Sequence, residues 1–193
     1  MYPMIPEQSP NEPYAWATNI FSEDEIRLII DIGKSLPIED GGVNNTGVAK
    51  LETRRSKISW IRPEVNTEFI FQRISHAVQK INKDFYNYEL TAMEDIQFSE
   101  YDASYQGMYR NHTDDGFEEF RRKISFTLQL SDPSDYEGGE LLIYRFKLDN
   151  PFEVKKEKGL ITIFPSWTIH EVTPVTHGTR YTLVGWCHGP QFK

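Results

Sequence analysis

The apolar residues of this 193-residue chain change their period near residue 95, and that change limits the folds open to it. Before it, two segments repeat at helical spacing. Ile26, Ile29, Ile30 and Gly33 mark one face, widened by Leu28 and Ile32. Ile70, Ile74, Ala77, Val78, Ile81 and Phe85 mark another. Beyond it, apolar and polar residues alternate over 96–101 and 124–130, and 141–144, 160–164 and 180–186 are further strand candidates. Asp132-Pro133, Gly138-Gly139, Asp149-Asn150-Pro151, Pro165 and Gly178 are the turn signals between them. Helices followed by short strands predict one α+β domain, a sandwich or jelly-roll core with supporting N-terminal helices.

Local signals sharpen the first half. Residues 1–14, rich in Pro, Asn and Gln, predict an extended arm anchored by Tyr14 and Trp16. Ser22-Glu23-Asp24-Glu25 is a capping box, with Phe21 and Ile26 placed for a hydrophobic staple. Pro37 closes that helix. The Gly- and Asn-rich stretch 39–50 is a loop and a lid candidate. Residues 53–61 predict a short strand, and the second helix follows Pro63.

Charge and cysteine usage bound the function. Formal net charge is -8, which disfavours broad binding to nucleic acid. Cys187 is the single cysteine, so neither an intramolecular disulfide nor a Cys-based zinc site can be built. The N-terminus lacks the pattern of a signal peptide, and no apolar run reaches the ~18 residues of a spanning helix. The expectation is a soluble cytoplasmic protein, with no membrane and no nucleic-acid partner.

The chemistry concentrates between Asn111 and Trp186. In an extended segment residues i and i+2 share a face, so His112 and Asp114 can reach one ion. His170 follows a strong strand candidate and supplies a distant third ligand. His76 falls on a helix, His177 in a turn and His188 near the end. Two histidines and one carboxylate make the facial triad of non-haem Fe(II) oxygenases, leaving positions for a 2-oxo acid and O2. Arg180 lies ten residues after His170, ~33 Å along one strand. The turn residues between them predict a hairpin centred near Val175, which sets the two opposite each other. Arg180 can then pair with a carboxylate, flanked by Thr182, Val184 and Trp186 on the same face. Taken singly, each residue also fits a surface polar group, a satisfied core histidine or a surface salt bridge.

As an ordered series the residues resemble the 2-oxoglutarate- and Fe(II)-dependent dioxygenases. Within them the match is to the prolyl 4-hydroxylase-like group, closest to the PKHD-type hydroxylases. The resemblance runs from Tyr101, Gly107 and Tyr109 to His112 and Asp114. It continues through Leu128, 130–133, 135–141 and 164–166. It then takes in His170, 172–176, Gly178, Arg180 and Trp186. It implies a double-stranded β-helix over 96–190 as the catalytic core, with 1–95 as helical support and candidate lid, in a single domain. It implies His112, Asp114 and His170 as iron ligands, and Arg180 as partner of the distal carboxylate of 2-oxoglutarate. Tyr101 and Trp186 wall the cosubstrate pocket, although one residue is inserted before His112. Gln129 stands where some members carry a further pocket tyrosine.

The implied reaction hydroxylates an unactivated C–H bond, of a prolyl residue or of another peptide, protein or small-molecule substrate. It consumes O2 and releases succinate and CO2, with ascorbate as an accessory reductant. Trp60, Tyr109 and Trp167 are candidate entrance residues, as are Tyr105, Phe117 and Phe120. Asp115, Glu118 and Glu119 form either a cation-attracting edge or a solvated loop. The competing reading is a non-catalytic jelly-roll binding protein with a vestigial metal site.

Overall fold

The computed structural model describes residues 13–42, 51–114, 122–145 and 147–191. Helix α1 (Glu23–Ser35) starts where its cap dictates. The Ser22 hydroxyl accepts from the Glu25 amide at 3.3 Å, and Glu25 accepts from the Ser22 amide at 2.8 Å. Two donors that the first turn leaves orphaned are thereby satisfied, worth ~1 kcal/mol. Helix α2 (Glu68–Ile81) continues as a π turn over Asn82–Tyr86 and stops at Asn87, whose φ is 54°. Ile26, Ile29, Ile70, Ile74, Val78 and Ile81 are buried in one core with Phe21. Each such side chain contributes ~1.5–3 kcal/mol of burial.

The strands are β1 (Ala15–Ala17), β2 (Glu39–Asp40), β3 (Arg54–Arg55), β4 (Lys57–Ile61), β5 (Ala92–Met93), β6 (Ile96–Asp102) and β7 (Met108–His112). They continue as β8 (Arg122–Gln129), β9 (Tyr136–Gly138), β10 (Leu141–Ile143), β11 (Phe152–Glu153), β12 (Ile161–Pro165), β13 (His170–Val172) and β14 (Val175–His188). The larger sheet runs β1-β12-β8-β14-β6-β4-β2, with β5 and β9 also paired to β14. The smaller runs β11-β10-β13-β7-β3. Every pairing is antiparallel among the described residues. This is the jelly-roll α+β architecture expected of the sequence.

Alternation divides the larger sheet between two tasks. Ile96, Phe98, Ile124, Leu128, Ile161, Ile163 and Leu183 join the core shared with the helices. Gln97, Tyr101, Thr127, Arg180, Thr182 and Trp186 instead face a cavity between the sheets. A one-residue slip in register would exchange these faces, so helix packing fixes which side chains reach the cavity.

Three expectations change. Residues 54–61 belong to the barrel, with β3 in the smaller sheet and β4 in the larger, so the strand core is not confined to 96–190. The Gly138-Gly139 turn, with φ of 73° and 64°, closes no hairpin but carries the chain from one sheet to the other. Nor do His170 and Arg180 face each other in a hairpin. At Thr173-Pro174 the chain leaves the smaller sheet, and β13 and β14 have different neighbours. The Val175 amide bonds to the Gly107 carbonyl at 2.9 Å rather than back to β13. Of the expected arm, residues 1–12 lie outside the described residues, while Tyr14 belongs to the second core cluster and Trp16, in β1, packs against it as expected. Of the lid candidate, Glu39–Asp40 pairs with β4, while 43–50 lie outside the described residues. No helix among the described residues is long and apolar enough to cross a membrane.

Candidate metal centre

The smaller sheet brings the two histidines together. His170, the first residue of β13, is the register partner of His112, the last residue of β7. Their ring centroids are 4.2 Å apart. Asp114 lies beyond the end of β7 and is held by a bond from its amide to the Ser166 carbonyl at 2.8 Å. His112 and Asp114 do reach one point, as expected of residues i and i+2, although the paired strand ends at His112. His112 Nε2 is 3.6 Å from Asp114 Oδ1, and His170 Nε2 is 3.5 Å from Asp114 Oδ2. Those separations are too long for good hydrogen bonds. They suit donor atoms that each approach a shared ion to ~2.1 Å.

The tautomers agree with that use. His112 Nδ1 is 2.7 Å from the Arg110 carbonyl, and His170 Nδ1 is 3.0 Å from the Thr168 carbonyl. In each case the carbonyl two residues back accepts from the Nδ1–H, and the Nε2 lone pair is left toward Asp114. This is the arrangement that orients a metal-bound imidazole. Burial pushes the His112 imidazole down to about 3, with His170 adding to the effect and Asp114 opposing it. Burial alone would raise the Asp114 carboxyl, but His170 and then His112 hold it below its ordinary value. A neutral imidazole beside an ionised carboxylate is the state a divalent cation requires. Among the described residues these three form the one His/Cys/Asp/Glu group able to hold a metal ion.

Further groups complete the wall. The Tyr109 ring stacks on His112 with centroids 3.5 Å apart, and the Arg54 guanidinium sits 4.6 Å from the Tyr109 ring. Burial pushes the Tyr109 hydroxyl up to about 12. Phe164 lies against His170 at 4.7 Å. Arg180 is 4% exposed and has no ion-pair partner among the described residues; its guanidinium lies 5.6 Å from the Tyr101 ring. Among the described residues, Thr182 Oγ1 and Trp186 Nε1 find no hydrogen-bond partner although both are buried. A protein tolerates few such groups, each costing ~1–3 kcal/mol, so two on one wall fit a site whose ligand brings acceptors.

All these residues line one cavity of about 490 Å³. A larger cleft of about 580 Å³ lies between residues 16–20 and α2 but contains no comparable donor set. Chemistry rather than volume selects the site.

The expected site residues divide as follows. Tyr101, Tyr109, Trp60 and Trp186 line the cavity with the triad and Arg180. Gln129 does not. It lies behind Arg180, beside a gap of about 10 Å³, and donates to the Tyr136 hydroxyl at 3.0 Å. Trp167 does not line the cavity either. It is 40% exposed and packs edge-on to Tyr88 at 5.4 Å, because the tight turn after Pro165 points it out of the barrel. Tyr105 bonds to the Glu100 carbonyl at 3.1 Å and is likewise no part of the wall. Phe117, Phe120, Asp115, Glu118 and Glu119 lie outside the described residues. Sequence reasoning missed Arg54, Gln97, Arg122 and Thr127, all on the cavity wall. Strand alternation was the one signal for Gln97 and Thr127, while Arg54 and Arg122 carry none in isolation.

Comparison with known proteins agrees with the site. Residues 96–188 match the model of the 2OG-Fe(II) oxygenase superfamily. A PKHD-type hydroxylase of Crocosphaera subtropica is 32% identical over 174 residues, covering 88% of this chain and 76% of that protein. Another, of Parvibaculum lavamentivorans, is 47% identical over 83 residues, 42% of this chain and 37% of that protein. A Pseudomonas putida prolyl-4-hydroxylase shares the fold with a TM-score of 0.73 at 22% identity, covering 93% of this chain and 94% of its own. So does a prolyl hydroxylase of Trichoplax adhaerens, solved with a hypoxia inducible factor oxygen degradation domain peptide. Its TM-score is 0.77 at 18% identity, over 92% of this chain and 84% of that one. The chain therefore belongs to the 2OG-Fe(II) oxygenase superfamily, as a hydroxylase of PKHD type that depends on Fe(II), 2-oxoglutarate and O2.

Proposed function

We propose that the chain hydroxylates an unactivated C–H bond of a peptidyl substrate, a prolyl residue first among the candidates, with release of succinate and CO2. One observation carries this reading. Two imidazoles, each held by a backbone carbonyl, converge with one carboxylate in the cavity that also contains Arg180, which has no ion-pair partner among the described residues. His112, Asp114 and His170 hold Fe(II), which when bound supplies the redox chemistry that couples 2-oxoglutarate to O2.

The chain's own residues do the rest. The Arg180 guanidinium takes the distal carboxylate of 2-oxoglutarate in a charge-assisted pair. Thr182 Oγ1 donates to the same carboxylate, which removes its orphan state. Tyr101 walls the cosubstrate, and Trp186 offers its indole N–H to an acceptor in the site. Tyr109, stacked on His112, keeps water from that side of the ligand. Trp60 and Tyr109 line the way in. Gln129 acts through Tyr136 and Arg180 rather than by touching cosubstrate. Ascorbate would serve as the accessory reductant. A peptide is favoured because both named structural neighbours are prolyl hydroxylases and the Trichoplax protein was solved with one.

Succinate release, assayed across proline-containing peptides, free amino acids and cell extract, tests the proposal, with mass spectrometry for a product heavier by one oxygen. Succinate formation with no peptide gaining oxygen would redirect the search to small molecules. A peptide bound tightly without any succinate would favour the non-catalytic binding reading.

A further inference from the structure

Asp114 stands outside any strand, so something other than a ladder must hold it. Its amide is fixed by the Ser166 carbonyl. Its carbonyl is approached by Arg122 Nη1 at 3.4 Å. That arginine is itself unusually constrained. Its Nε and Nη2 donate to the two oxygens of Glu94, at 2.6 and 2.7 Å. Its Cζ lies 4.0 Å from the centre of the Trp186 ring. Glu94 is tied in turn, since its amide donates to the Trp186 carbonyl at 3.0 Å and its Oε1 meets His188 Nε2. One guanidinium thus joins the backbone of the triad's carboxylate residue to the indole on the cavity wall, and Glu94 locks its plane.

We infer that Arg122 is a positioning residue, oriented by Glu94, that sets where the Asp114 carboxylate stands relative to the two histidines. The inference rests on the reading of Asp114 as a metal ligand. Arginine suits the task because a planar fork can pair bidentately with Glu94 while its face covers Trp186. A lysine at the same place keeps the charge but cannot do both. The pair is only partly exposed, with side chains 21% and 25% accessible, so its geometry is held better than that of a surface ion pair. Outer partners of metal ligands typically alter metal affinity by ~10–100-fold when removed.

The test uses the full-length apoprotein and Co(II), followed by its visible absorption, with thermal melting of every variant. Arg122→Lys is expected to weaken Co(II) binding ~10–100-fold and to shift the near-ultraviolet dichroism contributed by Trp186. Glu94→Gln is expected to give the same changes in smaller degree, and the double variant to bind no worse than Arg122→Lys alone. Arg73→Lys, which disturbs the ion pair between Arg73 on α2 and Glu25 on α1, serves as control for a general loss of stability. Co(II) affinity unchanged in Arg122→Lys, additive losses in the double variant, or an equal loss in Arg73→Lys would overturn the inference. Wild-type protein that binds no Co(II) would overturn the metal-site reading itself, a result distinct from those three.

Discussion

His112 and His170 are cross-strand partners, the one ending β7 and the other opening β13, with a register shift just beyond them between His170 and Val172. The shift lets neighbouring side chains part while the two imidazoles stay 4.2 Å apart at their centroids. Because the pair is built by backbone register, loss of one ring leaves the other in place but without a chelate. His170→Ala is expected to abolish the visible charge-transfer band formed anaerobically with Fe(II) and 2-oxoglutarate. It should weaken Fe(II) by more than the ~100-fold upper range of an outer-partner effect. A band of wild-type intensity in this variant would remove His170 from the ligand set.

Arg180 offers the complementary dissection. It has no ion-pair partner among the described residues, so its removal should cost the cosubstrate and not the fold. Arg180→Ala is expected to weaken 2-oxoglutarate by the ~2–5 kcal/mol typical of a truncated buried charge pair. Fe(II) affinity should change by less than ~1 kcal/mol, the scale of a non-contacting substitution. Titration calorimetry with each component separates the two. Equal losses would mean misfolding.

Much of this site was legible before any coordinates, and the failures share a cause. The capping box placed Ser22, and helical spacing placed the α2 core, because both depend on residues a few positions apart. His112, Asp114, His170 and Arg180 were identified by residue type and order. How they meet was not, because that depends on the chain changing sheets at Ser56, Gly138-Gly139 and Thr173-Pro174. A turn signal states that a strand ends, not which sheet the next strand joins. Trp167 misled for a related reason, since it sits three residues from Phe164 and from His170 on the cavity wall, on a turn that faces outward. Arg122 and Glu94 are 28 residues apart and carry no local pattern that marks them as a pair.

Two of those crossings are stitched together, and the stitch responds to pH. The Glu140 amide donates to the Thr173 hydroxyl oxygen at 2.9 Å, and the Thr173 amide donates to the Glu140 carbonyl at 3.0 Å. Lys156 Nζ reaches Glu140 Oε1 at 2.7 Å and the Gly138 carbonyl at 2.6 Å. Burial pulls the Glu140 carboxyl upward, but Lys156 and Thr173 outweigh it and leave it below its ordinary value. A depressed folded value stabilises above the unfolded value of ~4.3, and that stability is lost as pH falls through the folded one. Glu140→Gln should therefore melt ~2–4 °C below wild type near pH 7, for a loss of ~1 kcal/mol. The gap should close as pH falls below ~4. Melting curves that stay parallel down to acid would show that the carboxylate contributes nothing to the crossing.

Gly178 lies within β14 two residues before Arg180, at a φ of 67°, and a Cβ there would stand 1.9 Å from the Asp135 carbonyl oxygen. Strain and collision act together, so Gly178→Ala is expected to destabilise by ~2 kcal/mol or more, a fall of ~4–8 °C in Tm. The displaced start of β14 also carries Arg180, so 2-oxoglutarate affinity should fall in the surviving folded protein. A Tm within experimental error of wild type would mean that β9 can retreat from β14 without cost.

The last prediction concerns the resting protonation of the centre. Burial and His170 press the His112 imidazole down to about 3, well below its ordinary value near ~6.5. In the metal-free protein His112 should stay neutral from pH 8 to ~5, with its proton on Nδ1 for the Arg110 carbonyl and Nε2 bare. Below ~6.5 the unfolded chain takes up a proton that the folded chain refuses, so apoprotein stability falls with pH by up to ~1.4 kcal/mol per unit for this one group. Nitrogen-15 correlation spectra of the histidine rings check the first part, and apoprotein melting between pH 7 and 5 checks the second. A protonated Nε2 on His112 at pH 6 would contradict the carbonyl-held tautomer, and with it the reason this imidazole is ready to bind a cation.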